Sequence, residues 1–382
     1  MNNKSENSHI PIIIDLGSGQ IKAGFSGQEF PKKIFNNYIG EPKYKKLFKN
    51  INKDKIKSEQ FIGSQCDKCL NILKLRYPIN HGKFTNSEDI FPIFNYIFSS
   101  LKIPSEEIQY HPILIAEPLQ NPIQNRENIS QILFEKFSTQ KIFFASQPIL
   151  SLFSTSNTTG VALESGEGVT QSCVIYEGYA IPNSFERYDY GGREVSNYLG
   201  EILKKMGYFF ETSAEKQIIK EIKEKYCWAI PSNVPEIEKK FNDPENHFLP
   251  DGNVIKLGIE RIYPAEILYK PDIIGLECPG FHEMIFNSMN NVDIELRKTL
   301  CENILLSGGN TAIKGTQNKV FSEINNLINQ NVKIKIHSPK NPQLLCWIGG
   351  SIVTELEIFK KMWISKKDYE EKGEKILHEQ TI

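Results

Sequence analysis

Residues Ile12–Lys22 read IIIDLGSGQIK, and residues Val161–Gln171 read VALESGEGVTQ. The two stretches lie 149 positions apart (Asp15 to Glu164, Gly17 to Gly166, Gly19 to Gly168), acid over acid and glycine over glycine. Each predicts a buried strand, a tight glycine turn and a return strand. Glycine lets backbone N–H groups approach an anion closely and adopt conformations that other residues avoid. Two such turns face to face would clamp a polyphosphate, with acids nearby to hold a metal. One copy alone is a modest signal, because an acid satisfied by turn N–H groups is a common hairpin feature. The repeat favours a nucleotide-binding protein built from two related halves.

At 382 residues the chain exceeds one ordinary core, so two or more domains are expected. A formal net charge of −1 gives no global electrostatic argument for nucleic acid or membrane. Met1–His9 is polar without a signal-peptide core, and no apolar run reaches the ~18 residues of a membrane span. Seven cysteines at irregular spacing are not a disulfide framework. Cys66 and Cys69 form a lone Cys-x-x-Cys, read as two reduced thiols on one helical turn rather than a zinc site. These features indicate a soluble cytosolic or nuclear protein.

Strand-type segments Pro112–Ala116, Lys141–Ala145 and Val332–Ile336 alternate with helical periodicity over Asn128–Phe137, Glu194–Met206 and Ala214–Tyr226, which predicts an α/β class. Between Pro42 and Ser58 stand seven lysines (Lys43, Lys45, Lys46, Lys49, Lys53, Lys55, Lys57) against Asp54 alone. A solvated loop, a nucleic-acid patch and a protein-docking loop all fit that composition.

The sequence resembles the actin family along nearly its whole length. The match is carried by IDLGSGQIKAGFSG (Ile14–Gly27), RYPINHG (Arg76–Gly82), NRE (Asn125–Glu127), QPILSLF (Gln147–Phe153), TTGVALE (Thr158–Glu164), IYEGYA (Ile175–Ala180), IKEK (Ile222–Lys225), LPDG (Leu249–Gly252), LSGG (Leu306–Gly309), WIGGSI (Trp347–Ile352) and KMWISKKDY (Lys361–Tyr369). It is similar both to conventional actin and to centractin, the latter through YKPDIIG (Tyr269–Gly275), Lys314–Gly315 and Phe359–Glu371.

The resemblance implies an actin-like fold: two α/β halves with duplicated phosphate-binding hairpins around a nucleotide cleft. The implied division is a small half (1–154) with an inserted subdomain at 37–77, a large half (155–344) with an inserted subdomain at 191–276, and a C-terminal segment (345–382) returning to the small half. ATP or ADP phosphates are then expected between Gly17, Ser18, Gly19 and Gln20 on one side and Gly166, Glu167, Gly168 and Val169 on the other, with Lys22 reaching them. Mg2+ is expected near Asp15 and Glu164 through water. Lys223 and Glu224 match a pair beside the nucleoside, where Gly192, Gly309, Asn310, Ile313 and Gln343 also fall. Taken alone, that pair would be a solvated helix face and the glycines ordinary loop residues. Gln147 matches the glutamine that orients the attacking water, which suits a reaction governed by positioning. His81 matches a histidine that many actins methylate.

The second turn departs from the family pattern. Glu164 and Glu167 stand where aspartates are usual, and Gln171 where histidine is usual. On the nucleoside side Gln343 replaces a lysine and Ile313 a tyrosine. Misplacing reacting geometry by ~1 Å costs on the order of 100-fold in rate, so ATP binding with slow hydrolysis is expected, at most a slow Mg-dependent ATPase. The implied role is a cytoplasmic, cytoskeletal filament subunit. Its partners are further copies or other actin-family subunits, with actin-binding proteins at an apolar groove near Phe153, Ile348, Ile352, Leu356 and Met362; neither nucleic acid nor membrane is expected. The lysine-rich stretch falls on the family's docking loop, with Glu355 and Glu357 as acids for it to meet, and Asp272–Phe281 falls on a loop that plugs contacts between filament strands. A non-polymerising subunit of a nuclear chromatin complex is the alternative. A sugar kinase of the same superfold lacks a visible catalytic acid here, and the chain is too short for a chaperone's peptide-binding domain.

Overall fold

A computed structural model describes residues 10–43, 60–232, 240–249, 251–328 and 332–379. The lysine-rich stretch, apart from Lys43, lies outside the described residues. The apolar run Ile12–Leu16 forms a strand flanked by parallel neighbour Ile113–Glu117 and antiparallel return strand Gln20–Phe25. Lys141–Ser146 adds a third parallel strand, and Lys33–Asn36 and Ile364–Ser365 form the two edges. The middle strands are apolar on both faces because both faces are covered. Ile12 and Ile14 pack towards Phe94, Phe98 and Phe134, whereas Ile13 faces the other way with Leu114, Phe143 and Trp347. Trp347 is buried there and donates its indole N–H to the Ile13 carbonyl at 3.0 Å.

The second sheet repeats this plan. Gly160–Ser165 pairs with its return strand Thr170–Tyr176 and lies parallel to Ile304–Ser307, which in turn pairs with Ile336–His337. The strand expected over Val332–Ile336 is thus confined to its end. Among the described residues its only partner is the four-residue strand Ile304–Ser307, and Val332 and Ile334 pack on the core without described ladder bonds of their own. Smaller sheets are formed by Ile39–Pro42, Phe61–Ile62 and Leu73–Arg76, and by the hairpin Glu245–Phe248 with Val254–Leu257.

The chain passes between the two large sheets through two helices, Gln147–Phe153 and Leu345–Val353. They cross in direct contact, since a Cβ on Gly349 would fall on the Leu150 carbonyl. Helices Gly192–Lys205 and Ser213–Tyr226 match the sequence expectation within two residues, each with a glutamate accepting from the N-cap backbone N–H. The helix expected over Asn128–Phe137 runs from Ile123 to Glu135; it opens on exposed Ile123 and Gln124 and its first turn carries no apolar periodicity. Cys66 and Cys69 are free thiols, the first buried in a short helix and donating to the Phe61 carbonyl. In the segment Asp272–Phe281, Phe281 is buried and Ile274 and Leu276 pack on the core, while Ile273 stays exposed. No described helix is long and apolar enough to cross a membrane.

Candidate functional site

The two glycine turns come face to face at the floor of a cleft of about 380 Å³. A Cβ on Gly19 would lie 2.7 Å from the Glu167 Cβ, and one on Gly168 would lie 3.0 Å from the Ser18 hydroxyl. Cross-links pin this opposition. Ser18 Oγ accepts from the Gly82 N–H at 3.0 Å, and His81 Nδ1 lies 2.6 Å from the Gly168 carbonyl. Asn37 bonds the Gly17 and Gly19 carbonyls, which sets that turn's shape from behind.

The register of the first hairpin sets Lys22 opposite Asp15, and Lys22 Nζ donates to Asp15 Oδ2 at 2.7 Å. Burial works against the ammonium, but the adjacent Asp15 carboxylate outweighs it and holds Lys22 above its usual pKa. The other Asp15 oxygen accepts from Gln147 Nε2 at 2.9 Å. Gln147 opens the helix Gln147–Phe153, so its side chain is carried on a rigid element beside the first turn.

In the second hairpin the equivalent register sets Gln171 opposite Glu164, but the two do not pair. Gln171 Nε2 donates to Gln147 Oε1 at 3.2 Å, and its Oε1 accepts from the Leu119 backbone N–H at 2.8 Å. Glu164 instead bends to the Ser151 hydroxyl at 3.2 Å, itself bonded to Ser307 at 2.9 Å. Burial, followed by repulsion from Asp15, pushes the Glu164 carboxyl up to about 8.

Above the turns, Lys223 is buried and donates to the Gly192 carbonyl at 2.8 Å, with Glu167 at 3.4 Å. Asn310 Nδ2 bonds the Gly166 carbonyl at 2.7 Å. With these stand Glu224, Gly309, Ile313 and Gln343 on the same wall. Of the residues expected from sequence at this site, all line the cleft except Gly192, which lies behind it. A Cβ there would come within 2.7–2.9 Å of the tips of the Glu167, Asn310 and Lys223 side chains. Sequence reasoning missed the lining residues Leu16, Gly82, Pro118, Lys220, Gly308 and Ala312. Leu16, Gly82 and Gly308 lie inside motifs that were recognisable; the others have no sequence signal.

The expected apolar groove is partly open. Phe153, Ile348 and Met362 are half-buried, and Ile352 and Leu356 are exposed. The nearby acids are engaged: Glu355 accepts from Ser26, and Glu357 pairs with Lys360 at 2.5 Å.

Among the described residues no three or more His, Cys, Asp or Glu side chains gather to hold a metal ion. Mg2+ usually keeps several waters and takes only one or two carboxylates. Asp15 and Glu164, both turned into the cleft and repelling each other, fit that mode of binding.

Comparison with known proteins agrees with this architecture. The family model described as Actin matches residues 6–382. An "Actin-like protein" of Neurospora crassa is 41% identical over 378 residues, covering 96% of this chain and 97% of the relative. A duplicated hairpin clamp in the geometry, with a match across almost the whole sequence, leads to one conclusion: the chain belongs to the actin family.

Proposed function

We propose that the cleft binds ATP or ADP with Mg2+ and that the chain is a cytoplasmic, cytoskeletal filament subunit with slow hydrolysis. The observation that carries the nucleotide reading is the opposition of the two glycine turns, Gly19 against Glu167, at the floor of one cleft. The turns Gly17–Gln20 and Gly166–Val169 cradle the phosphates, the Gly166 N–H itself closing its hairpin onto the Val169 carbonyl at 2.9 Å, and Lys22 supplies positive charge beside them. Lys223, Glu224, Asn310, Gly309, Ile313 and Gln343 form the nucleoside wall. Asp15 and Glu164 hold the hydrated cation, which when bound neutralises charge on the phosphates. Gln147 orients water. The division into a small half (1–154), a large half (155–344) and a returning C-terminal segment belongs to the same reading, supported by the two sheets and two helical crossings.

Titration of the purified protein with a fluorescent ATP analogue, with Mg2+ and with a chelator, tests the binding site. Saturable binding that weakens on chelation is expected, and no binding overturns it. High-speed pelleting with ATP and Mg2+ tests the filament role; protein that stays in the supernatant at all concentrations overturns that part alone.

A further inference from the structure

We infer that Ser151 is a positioning residue: its hydroxyl draws one oxygen of Glu164 aside from the cleft, and this restraint sets the preference of the site for a small, hydrated divalent cation over a larger one. The inference rests on the reading above, that Asp15 and Glu164 meet a cation beside a bound nucleotide.

The two acids of the clamp are restrained differently. Asp15 is fixed at both oxygens, by Lys22 at 2.7 Å and by Gln147 at 2.9 Å. Glu164 carries one more methylene and therefore one more torsion to fix. Among the described residues, the one hydrogen bond to its carboxylate comes from Ser151 Oγ, 3.2 Å from Oε2. Glu164 lines the cleft and Ser151 does not. The hydroxyl therefore pulls Oε2 towards the helix Gln147–Phe153 and leaves Oε1 to face the cleft.

Ser151 is itself held. It is fully buried on that helix, and Ser307 Oγ, 2.9 Å away, ties it to the strand Ile304–Ser307. Ser307 also reaches the Pro342 carbonyl at 3.3 Å. The chain from Glu164 through Ser151 and Ser307 to Pro342 can run in either direction, because a hydroxyl both donates and accepts. With Glu164 ionised, Ser307 donates to Ser151 and Ser151 to the carboxylate. With Glu164 protonated, the acid donates to Ser151, Ser151 to Ser307 and Ser307 to the Pro342 carbonyl. The same oxygen is restrained in both states, so the restraint does not depend on the charge of Glu164.

Cation size is read through this restraint. Mg2+ gives up its waters reluctantly and demands a near-ideal octahedron, whereas Ca2+ accepts more oxygens in looser geometry, bidentate carboxylates included. With Oε2 drawn aside, Glu164 cannot turn both oxygens to one ion. It offers a single oxygen on a fixed arm, which suits an ion that keeps its water shell and disfavours one that takes more protein oxygens. Groups that orient a metal ligand typically change metal affinity about 10–100-fold when they are removed.

Ser151→Ala removes the hydroxyl alone: alanine suits a helix, and Ser307 keeps the Pro342 carbonyl. The released carboxylate can then turn both oxygens to the ion. Mn2+ bound together with ADP, displaced by Mg2+ or by Ca2+ and followed by electron paramagnetic resonance, gives the ratio of the two affinities. That ratio should move towards Ca2+ by about ten-fold in Ser151→Ala. Line broadening of bound Mn2+ in 17O-water counts its waters, and the count should fall by about one. Glu164→Asp withdraws the carboxylate from Ser151 by one methylene. Adding Ser151→Ala in that background should leave both readouts where they were, because the two residues no longer meet. A ratio within about two-fold of wild type in Ser151→Ala, or an unchanged water count, overturns the inference. So does an equal shift in the Glu164→Asp background, which would mean that Ser151 acts through something other than Glu164. Wild-type protein that binds no Mn2+ with ADP overturns the functional reading beneath, whereas Mn2+ binding that ignores Ser151→Ala overturns this inference alone.

Discussion

The two hairpins share backbone, register and glycine spacing, yet they treat their acids in opposite ways. Seven positions after each acid, at the register partner across the hairpin, stands Lys22 in one copy and Gln171 in the other. Lys22 answers Asp15 directly. Gln171 ignores Glu164 and spends itself on Gln147 and Leu119. The first acid is therefore ion-paired, and the second is left to hold a proton or await a cation. Duplication preserved the shape of the clamp while its electrostatics diverged.

The sharpest way to break this contrast is to neutralise each acid in the metal- and nucleotide-free protein. Asp15→Asn strands the buried Lys22 ammonium and should cost about 3–5 kcal/mol in chemical denaturation. Glu164→Gln, nearly isosteric with the protonated acid, should stay within about 1 kcal/mol at neutral pH. Equal losses would mean the two acids are equivalent after all.

A pH series sharpens the same point. Glu164 ionises near its ordinary value of 4.5 in the unfolded chain and at about 8 in the folded one. Between those values the folded state binds the extra proton, so stability contributed by this group falls as pH rises. The groups around it in that range are Asp15, Lys22, Cys173 and Cys346, and the two cysteines stay protonated. The wild-type melting temperature should therefore decline more steeply from pH 5 to pH 8 than that of Glu164→Gln, by roughly one proton's worth of linkage. Parallel slopes count against a buried, protonated Glu164.

The glycines form a smaller test. A Cβ on Gly17 would lie 2.5 Å from the Gln20 carbonyl, but one on Gly166 meets only the Val169 carbonyl at 3.9 Å. Gly17→Ala should cost about 1–3 kcal/mol, while Gly166→Ala should stay within about 0.5 kcal/mol and lose ATP affinity instead. Smallest of all, Glu167→Asp withdraws a carboxylate from Lys223, 3.4 Å away, and should shift stability by less than about 1 kcal/mol; a larger loss would show that this ion pair braces the second turn.

Much of this was legible in the sequence because it is local. The acid-x-Gly-x-Gly repeat announces both hairpins, and apolar spacing announces the helices Gly192–Lys205 and Ser213–Tyr226 within a turn. The direction of the Gln147 amide is not local. It depends on a backbone donor at Leu119, a side chain 52 residues further on and a carboxylate 132 residues before Gln147, and no spacing rule connects them. Nor does the sequence reveal that Glu164 bends to Ser151, because both Asp15 and Glu164 end apolar runs in the same way.

The crossing of Gln147–Phe153 over Leu345–Val353 has a mechanical consequence. With Gly349 seated on the Leu150 carbonyl, these two rods meet as an axle meets its bearing, leaving no clearance for a side chain between them. One end of the axle is Gln147, at the floor of the cleft; the other is Phe153, beside the apolar groove, about 9 Å away at 1.5 Å per residue. A torque applied at the floor is delivered at the groove without any loop in between to absorb it.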